Sequence, residues 1–228
     1  IDYFLKAPPG LSYELECKFG DIILDEVSGP AEIEVAYGSL QAKTFSNSMT
    51  EIEIAFGNAN IDFMEDAELE IKYSECNVRK ANALELNSSF SSLILGKLRE
   101  IEIESKYDDV EIDAISRLYV DSEFSSFKLG KIYEQLELDA SYGEFISNWI
   151  SPDFVTINIE SSFLSPELGI DKEASYIVEA DMKFGKLKYP QGKSHFSKEV
   201  SDYTSKYYYG YVNDEAAKAV VTIESKNG

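Results

Sequence analysis

Histidine occurs once in this chain, at His195, and cysteine twice, at Cys17 and Cys76. One histidine and two distant cysteines cannot supply the spaced ligand set of a structural zinc site. No stretch approaches the roughly 18 apolar residues that a membrane-spanning helix needs. Only 6 prolines and 13 glycines occur among 228 residues, which excludes collagen-like or linker-like character. Basic residues are scarce too, 21 against 42 acids, for a net charge of −21. That balance repels phosphate backbones and anionic leaflets, so neither nucleic acid nor membrane insertion is expected. Divalent cations and basic partner surfaces remain compatible with it. The three-four spacing of an amphipathic helix is also missing. Its nearest approach, DEAAKA at 214–219, reads as a turn among tyrosines.

What remains is a folding composition, with 44% hydrophobic, 28% charged and 13% aromatic residues. Its dominant signal is internal repetition. An aromatic residue preceded by an acid-alternating segment recurs at Phe19, Tyr37, Phe56, Tyr73, Phe90, Tyr107, Phe124, Tyr142, Phe163 and Phe184. The spacing is seventeen residues from Phe56 to Phe124 and widens to twenty-one at the end. The clearest unit is IEIESKYDDVEIDAI (101–115), where Ile101, Ile103, Ser105 and Tyr107 share one parity and Glu102, Glu104 and Lys106 the other. Such alternation marks a half-buried strand, and Val110 and Ile112 begin a second one. After the aromatic comes a turn-tolerant residue, as at Gly20, Gly38, Ser74, Asp108 or Gly143, and a glycine there permits the positive φ of a corner. Leu164 departs from this.

A seventeen-residue unit of two short strands cannot bury its own apolar face. Stacked coil on coil, such units hydrogen-bond at about 4.8 Å and enclose a continuous core. The fold class expected is therefore an all-β, single-stranded β-helix (β-solenoid) of about ten coils. A leucine-rich repeat is excluded by its longer unit and its Asn-bearing strand. One domain spans 1–228, with residues 1–12 (Pro8, Pro9, Gly10) covering the first coil and regular coils over 13–190. Residues 191–213 read as an excursion. Val221, Ile223 and Ser225 then restart the frame, with Asn227–Gly228 at the corner of an eleventh, incomplete coil.

The coil form strand–Ser/Lys–aromatic–Gly is carried by IESKYDDVEI (103–112), LDASYGEF (138–145), EADMKFGKL (179–187) and VTIESKNG (221–228). It resembles the adhesin family of bacterial β-strand-repeat proteins, of the Bacteroidetes-like kind, from about residue 13 onward. The resemblance implies a β-solenoid exported to the periplasm or cell surface. It carries over no functional residues. The chain opens IDYFLKAPPG with no initiator methionine and no basic segment followed by an apolar run. No signal peptide is visible, which says nothing about export.

Two outward ladders are the first candidate site. The third residue before each corner is Glu16, Glu34, Glu53, Glu70, Asn87, Glu104, Asp121, Asp139, Glu160 or Asp181. The fifth is Glu14, Glu32, Glu51, Glu68, Glu85, Glu102, Tyr119, Glu137, Asn158 or Glu179. Such a face can collect divalent cations or a basic partner, or it can simply be solvated and resist aggregation. The second reading is preferred, because a flat ladder supplies fewer than the six to eight oxygens of a calcium site. Nearly every acid has an equivalent in the next coil, so no singular pair suggests glycoside hydrolysis. The tyrosines Tyr203, Tyr207, Tyr208, Tyr209 and Tyr211 read as a cap on the open end, the alternative being a stacking platform for a sugar or protein. His195 reads as a surface histidine. Cys17 and Cys76 lie three coils, about 14 Å, apart, beyond disulfide reach, and read as buried free thiols.

The expectation is an exported, non-catalytic scaffold or adhesion module for a protein or glycan, with no catalytic, cofactor or metal residues. Its rivals are a β-helix polysaccharide enzyme, marked by a deep groove with one isolated acid pair, and a cytoplasmic solenoid polymerising end to end.

Overall fold

The structure is a computed structural model that describes residues 10–228 together with Lys6 and Pro8. The expected N-terminal cover therefore lies partly outside the described residues. Fifteen strands and no helix occur among those described. They are β1 (Tyr13–Lys18), β2 (Asp21–Val27), β3 (Ala31–Ala36), β4 (Ser39–Phe45), β5 (Thr50–Ala55), β6 (Asn58–Lys72), β7 (Glu75–Ser89) and β8 (Ser92–Lys106). There follow β9 (Asp109–Ile150), β10 (Thr156–Ser162), β11 (Glu167–Ile170), β12 (Tyr176–Lys183), β13 (Ser194–Ser201), β14 (Ser205–Val212) and β15 (Ala219–Lys226).

Neighbouring coils pair in parallel, residue for residue. Ile33 lies opposite Ile52, Ile52 opposite Leu69, Leu69 opposite Leu86, and Leu86 opposite Ile103. The chain is thus a β-solenoid of about nine turns. Its alternating residues explain it: one parity fills a core running from Val27 to Val221, and the other faces water. Burial of Ile33, Ile52, Leu69 and Ile103 to within about a percent of completion contributes roughly 1.5–3 kcal/mol each before entropy.

The corners depart from that alternation. Parity would place Tyr107 with Ile103 in the core, yet Tyr107 and its nine equivalents are exposed, from 41% at Tyr142 to 79% at Phe19. The positive φ belongs to the aromatic itself. All ten have φ between 51° and 60°, whereas Gly20, Gly38, Gly57 and Gly185 do not. A residue in the left-handed region reverses the pleat, so the ring turns outward at the step where alternation would turn it in. The glycine that follows serves close approach instead: a Cβ on Gly38 would lie 1.8 Å from the Gly20 carbonyl oxygen.

The C-terminal residues form a distinct arrangement. β13 and β14 pair antiparallel, and β14 then adds antiparallel to β12. A turn at Asp214–Ala217, where the Ala217 amide donates to the Asp214 carbonyl, redirects the chain. β15 then enters in parallel between β10 and β12, with Ile223 opposite Ile159 on one side and Ala180 on the other. Val221 and Ser225 point inward in the expected frame. The coil that is eleventh in sequence thus lies between the ninth and tenth in space, and its corner residue Asn227 (φ 61°) stands between Phe163 and Phe184.

Candidate functional site

Nine of the ten outward aromatics, all but Phe184, do not point independently into water. From Phe19 to Phe163, phenylalanine and tyrosine alternate without exception, and each ring stacks on the next. The centroid separations are 4.7–5.1 Å and the interplanar angles 10° or less. Nine rings form one ridge, about 40 Å long by the coil spacing. The sequence repeat located these residues. What it did not reveal was their direction, because parity counts residues and not dihedral angles.

Two effects of similar size meet at each corner. A left-handed conformation costs a side-chain-bearing residue about 1–2 kcal/mol. A stacked aromatic pair returns roughly 0.5–1.5 kcal/mol beyond its area burial. The corner amides are also satisfied: Tyr37 N–H donates to the Ala55 carbonyl at 3.0 Å and Phe90 N–H to that of Lys106 at 3.0 Å. Asn227 occupies the same conformation with no ring, which asparagine tolerates better than most residues.

Stacking fixes what the ridge can touch. Each interior ring has both faces covered by its neighbours, so only ring edges and the tyrosine hydroxyls remain. The hydroxyls of Tyr37, Tyr73, Tyr107 and Tyr142 recur every second coil, about 10 Å apart. Ring edges carry the positive end of the aromatic quadrupole and suit acceptor atoms and apolar groups.

The acid ladders run beside the ridge as the repeat predicted. Glu16 lies opposite Glu34, Glu34 opposite Glu53, and Glu53 opposite Glu70; Glu14, Glu32, Glu51, Glu68, Glu85 and Glu102 form the second file. Glu224 of the inserted strand adds a rung between Glu160 and Asp181. Partial burial, then the charges of Glu70 and Glu34, push the Glu53 carboxyl above its usual range. Lysines next to the corners reach back into the file, with Lys18 Nζ 2.9 Å from Glu16 and Lys72 paired with Glu70. Among the described residues no group of three or more His, Cys, Asp or Glu side chains is arranged to hold a metal ion.

One carboxylate is singular. Asp108 sits inside the wall, 3% exposed, in the file Ser74–Ser91–Asp108–Ser125 just after the corners. It accepts from the Ser91 amide at 2.7 Å, the Ser105 hydroxyl at 2.7 Å and the Lys106 amide at 3.2 Å. Burial pushes its carboxyl up, against the pull of these donors. Its partners are the hydroxyl and amide of its own corner and the amide of the coil before, so it closes the turn and ties it to its neighbour.

The remaining candidates scatter. Cys17 is half-buried and Cys76 buried; both are free thiols, and burial pushes Cys76 up to about 12. His195 is exposed and stacks on Tyr211 at 5.0 Å. Tyr208 is buried over Ala180 and Met182, Tyr207 donates to Glu179 at 2.9 Å, and Tyr203 projects into water. The tyrosines thus divide along β14 and form no single platform. No family model, curated protein or solved structure matches the chain.

Proposed function

We propose that this protein is a non-catalytic scaffold whose stacked ridge, with the acid ladders beside it, is an adhesion surface for a protein partner. The observation that carries the reading is the ridge itself: nine rings held in water, each in a conformation that bulky residues avoid. Large exposed apolar features of this extent mark interaction surfaces. A glycan partner is disfavoured, because sugars stack on ring faces and only the terminal rings offer one. A protein surface presenting apolar and basic side chains at the coil spacing satisfies both the ring edges and the acid files.

Membership of the adhesin family, and export to the periplasm or cell surface, belong to the same proposal. They rest on the coil form of segments such as 103–112 and 138–145.

The test replaces Tyr73, Phe90 and Tyr107 together by asparagine, which the corner at Asn227 already accommodates. Wild type and variant, immobilised on beads, are compared for adhesion to purified surface proteins and to arrayed glycans. The proposal expects protein adhesion that the folded triple variant loses. Equal adhesion by the variant, glycan binding alone, or release of reducing ends from polysaccharides would overturn it.

A further inference from the structure

The two files that border the aromatic ridge carry charge on the same rungs and with opposite sign. On one side, the residue before each ring forms the file Lys18–Ala36–Ala55–Lys72–Ser89–Lys106, in register through the parallel ladders. On the other side, the second residue after each ring forms Asp21–Ser39–Asn58–Glu75–Ser92–Asp109. Lysine thus stands across the ridge from an acid at Phe19, Tyr73 and Tyr107, while the rungs of Tyr37, Phe56 and Phe90 are neutral on both sides. The charged side chains of both files are exposed. Lys18 and Lys72 pair back to Glu16 and Glu70, and Lys106 Nζ lies 3.8 Å from Glu123. Glu75 and Asp109 enter no ion pair among the described residues.

We infer that the partner of the ridge is the ridge of a second copy of this chain, the two rods lying parallel and related by a twofold axis along their length. The inference rests on the reading of the ridge as a protein-binding surface and names the protein. A periodic row of rings keeps register only with a surface of the same rise, which a second stack of coils supplies. The twofold sets the lysine file of each copy against the acid file of the other. Lys18 then meets Asp21, Lys72 meets Glu75 and Lys106 meets Asp109, each pair formed twice by the symmetry. Further along, Glu123 of each copy meets Ser126, and Glu144 meets Ser141. Each tyrosine hydroxyl meets its counterpart, and phenylalanine edges meet phenylalanine edges.

Other arrangements lose this match. Antiparallel rods would set lysine file against lysine file and bring both acid ladders to the same side of the contact, whereas the parallel pair keeps the ladders on opposite sides. A slip of one coil removes every lysine–acid pair and sets Glu123 against Glu144. The pattern stops with the stack: past Phe163 the corner is Asn227, and Lys183, Lys186 and Lys226 flank that corner and Phe184 with like charge. The area suffices too. The nine stacked rings are about half exposed, so the ridge offers roughly 700–1,100 Å² per copy, half of what aromatic side chains of this size can bury. A stable interface takes about 800 Å² from each partner. The net charge of −21 opposes association, but at physiological ionic strength its reach is cut to about 8 Å.

Analytical sedimentation of the full chain decides it, in reducing buffer at physiological salt, with melting curves to show that each variant is folded. Wild type should sediment at twice the chain mass at micromolar concentration. Lys72→Glu with Lys106→Glu should fall to the single mass, because acids then face acids. Glu75→Lys with Asp109→Lys should do the same, because lysines then face lysines. An equimolar mixture of these two variants should return to twice the chain mass, since each reversed file meets its complement. Replacing Tyr73, Phe90 and Tyr107 by asparagine should leave the single mass. Wild type that stays monomeric up to millimolar concentration, a mixture that does not recover, or an asparagine variant that still dimerises would each overturn the inference. Monomeric wild type whose adhesion to other proteins still requires the ridge would sink the second copy alone and leave the broader reading of the ridge standing.

Discussion

The amide of Phe163 donates to the carbonyl of Lys226 at 2.8 Å, and the amide of Asn227 donates in turn to the carbonyl of Lys183. The last strand is thereby tied between two coils formed much earlier in the chain. Neither β10 nor β12 has its full set of ladder partners until β15 arrives. Such non-local pairing is slow to form and makes the C-terminal third of the rod depend on the final ten residues.

Val221, buried to 3%, and its neighbour Val220, 37% exposed, separate this dependence from a surface effect. Val221→Asp should destabilise by several kcal/mol, since it places an unpaired carboxylate in the core, while Val220→Asp should cost under about 1 kcal/mol. In hydrogen exchange, the amides of both β10 and β12 should lose protection in Val221→Asp. Retained protection in either strand would show that the ninth and tenth coils hold without β15.

The corners give a second test, because strain and stacking can be removed separately. Tyr107 stacks on Phe90 and on Phe124 at 5.0 Å with φ of 60°. Tyr107→Gly loses both stacks and relieves the left-handed conformation; Tyr107→Ala loses both and keeps the strain. Alanine should therefore be the less stable by about 1 kcal/mol in urea denaturation, the reverse of the usual order in a strand. Alanine as stable as glycine would mean that the corner relaxes once its ring is gone.

The coil, its period and its inward file were legible because alternation and repetition are written in residue types. Ile101, Ile103, Leu136 and Leu138 all lie in the core where their parity placed them. The ridge was legible only as positions. Nothing in ESKYDD distinguishes a ring that continues the pleat from one that reverses it, since the reversal is a backbone dihedral that costs little more than the stack returns. The insertion of β15 was hidden for a related reason: VTIES carries the correct frame for any rung, and the frame does not say which. Asp108 was read among the turn residues, and its burial follows only from the Ser91 and Ser125 files above and below it.

Asp108 makes stability depend on pH in a stated direction. Its folded carboxyl titrates above the ordinary aspartate range because burial disfavours the charged form. The folded state then binds the proton more tightly than the unfolded state. The contribution of this group to stability is greatest below the ordinary aspartate pKa and falls as pH rises through the raised value. Asp108→Ser restores the corner of Ser74, Ser91 and Ser125, where a hydroxyl accepts the amide of the coil before it. Relative to wild type, this variant should gain stability as pH rises from about 3 to neutrality. A difference between the two proteins that stays constant over that window would mean that the donors around Asp108 cancel its burial, and one that shrinks as pH rises would mean that they outweigh it.

The acid ladders decide between a solvated face and a cation site. Carboxylates in register about 5 Å apart repel by roughly 0.8 kcal/mol per neighbouring pair in water, and Glu16, Glu34, Glu53 and Glu70 form an unbroken run of them. Screening of such repulsion depends on ionic strength and not on which cation supplies it. A bound ion behaves differently, adding RT ln(1 + [L]/Kd) to the folded state alone. Calcium's looser coordination suits carboxylates at this spacing better than the strict octahedron of magnesium. The ladder lies flat along a wall, so few oxygens converge on any one point beside it. Thermal melts in sodium, magnesium and calcium chloride at equal ionic strength should therefore rise together. A calcium-specific increase of more than a few degrees, absent when Glu34 and Glu53 are both replaced by glutamine, would make the ladder a cation site.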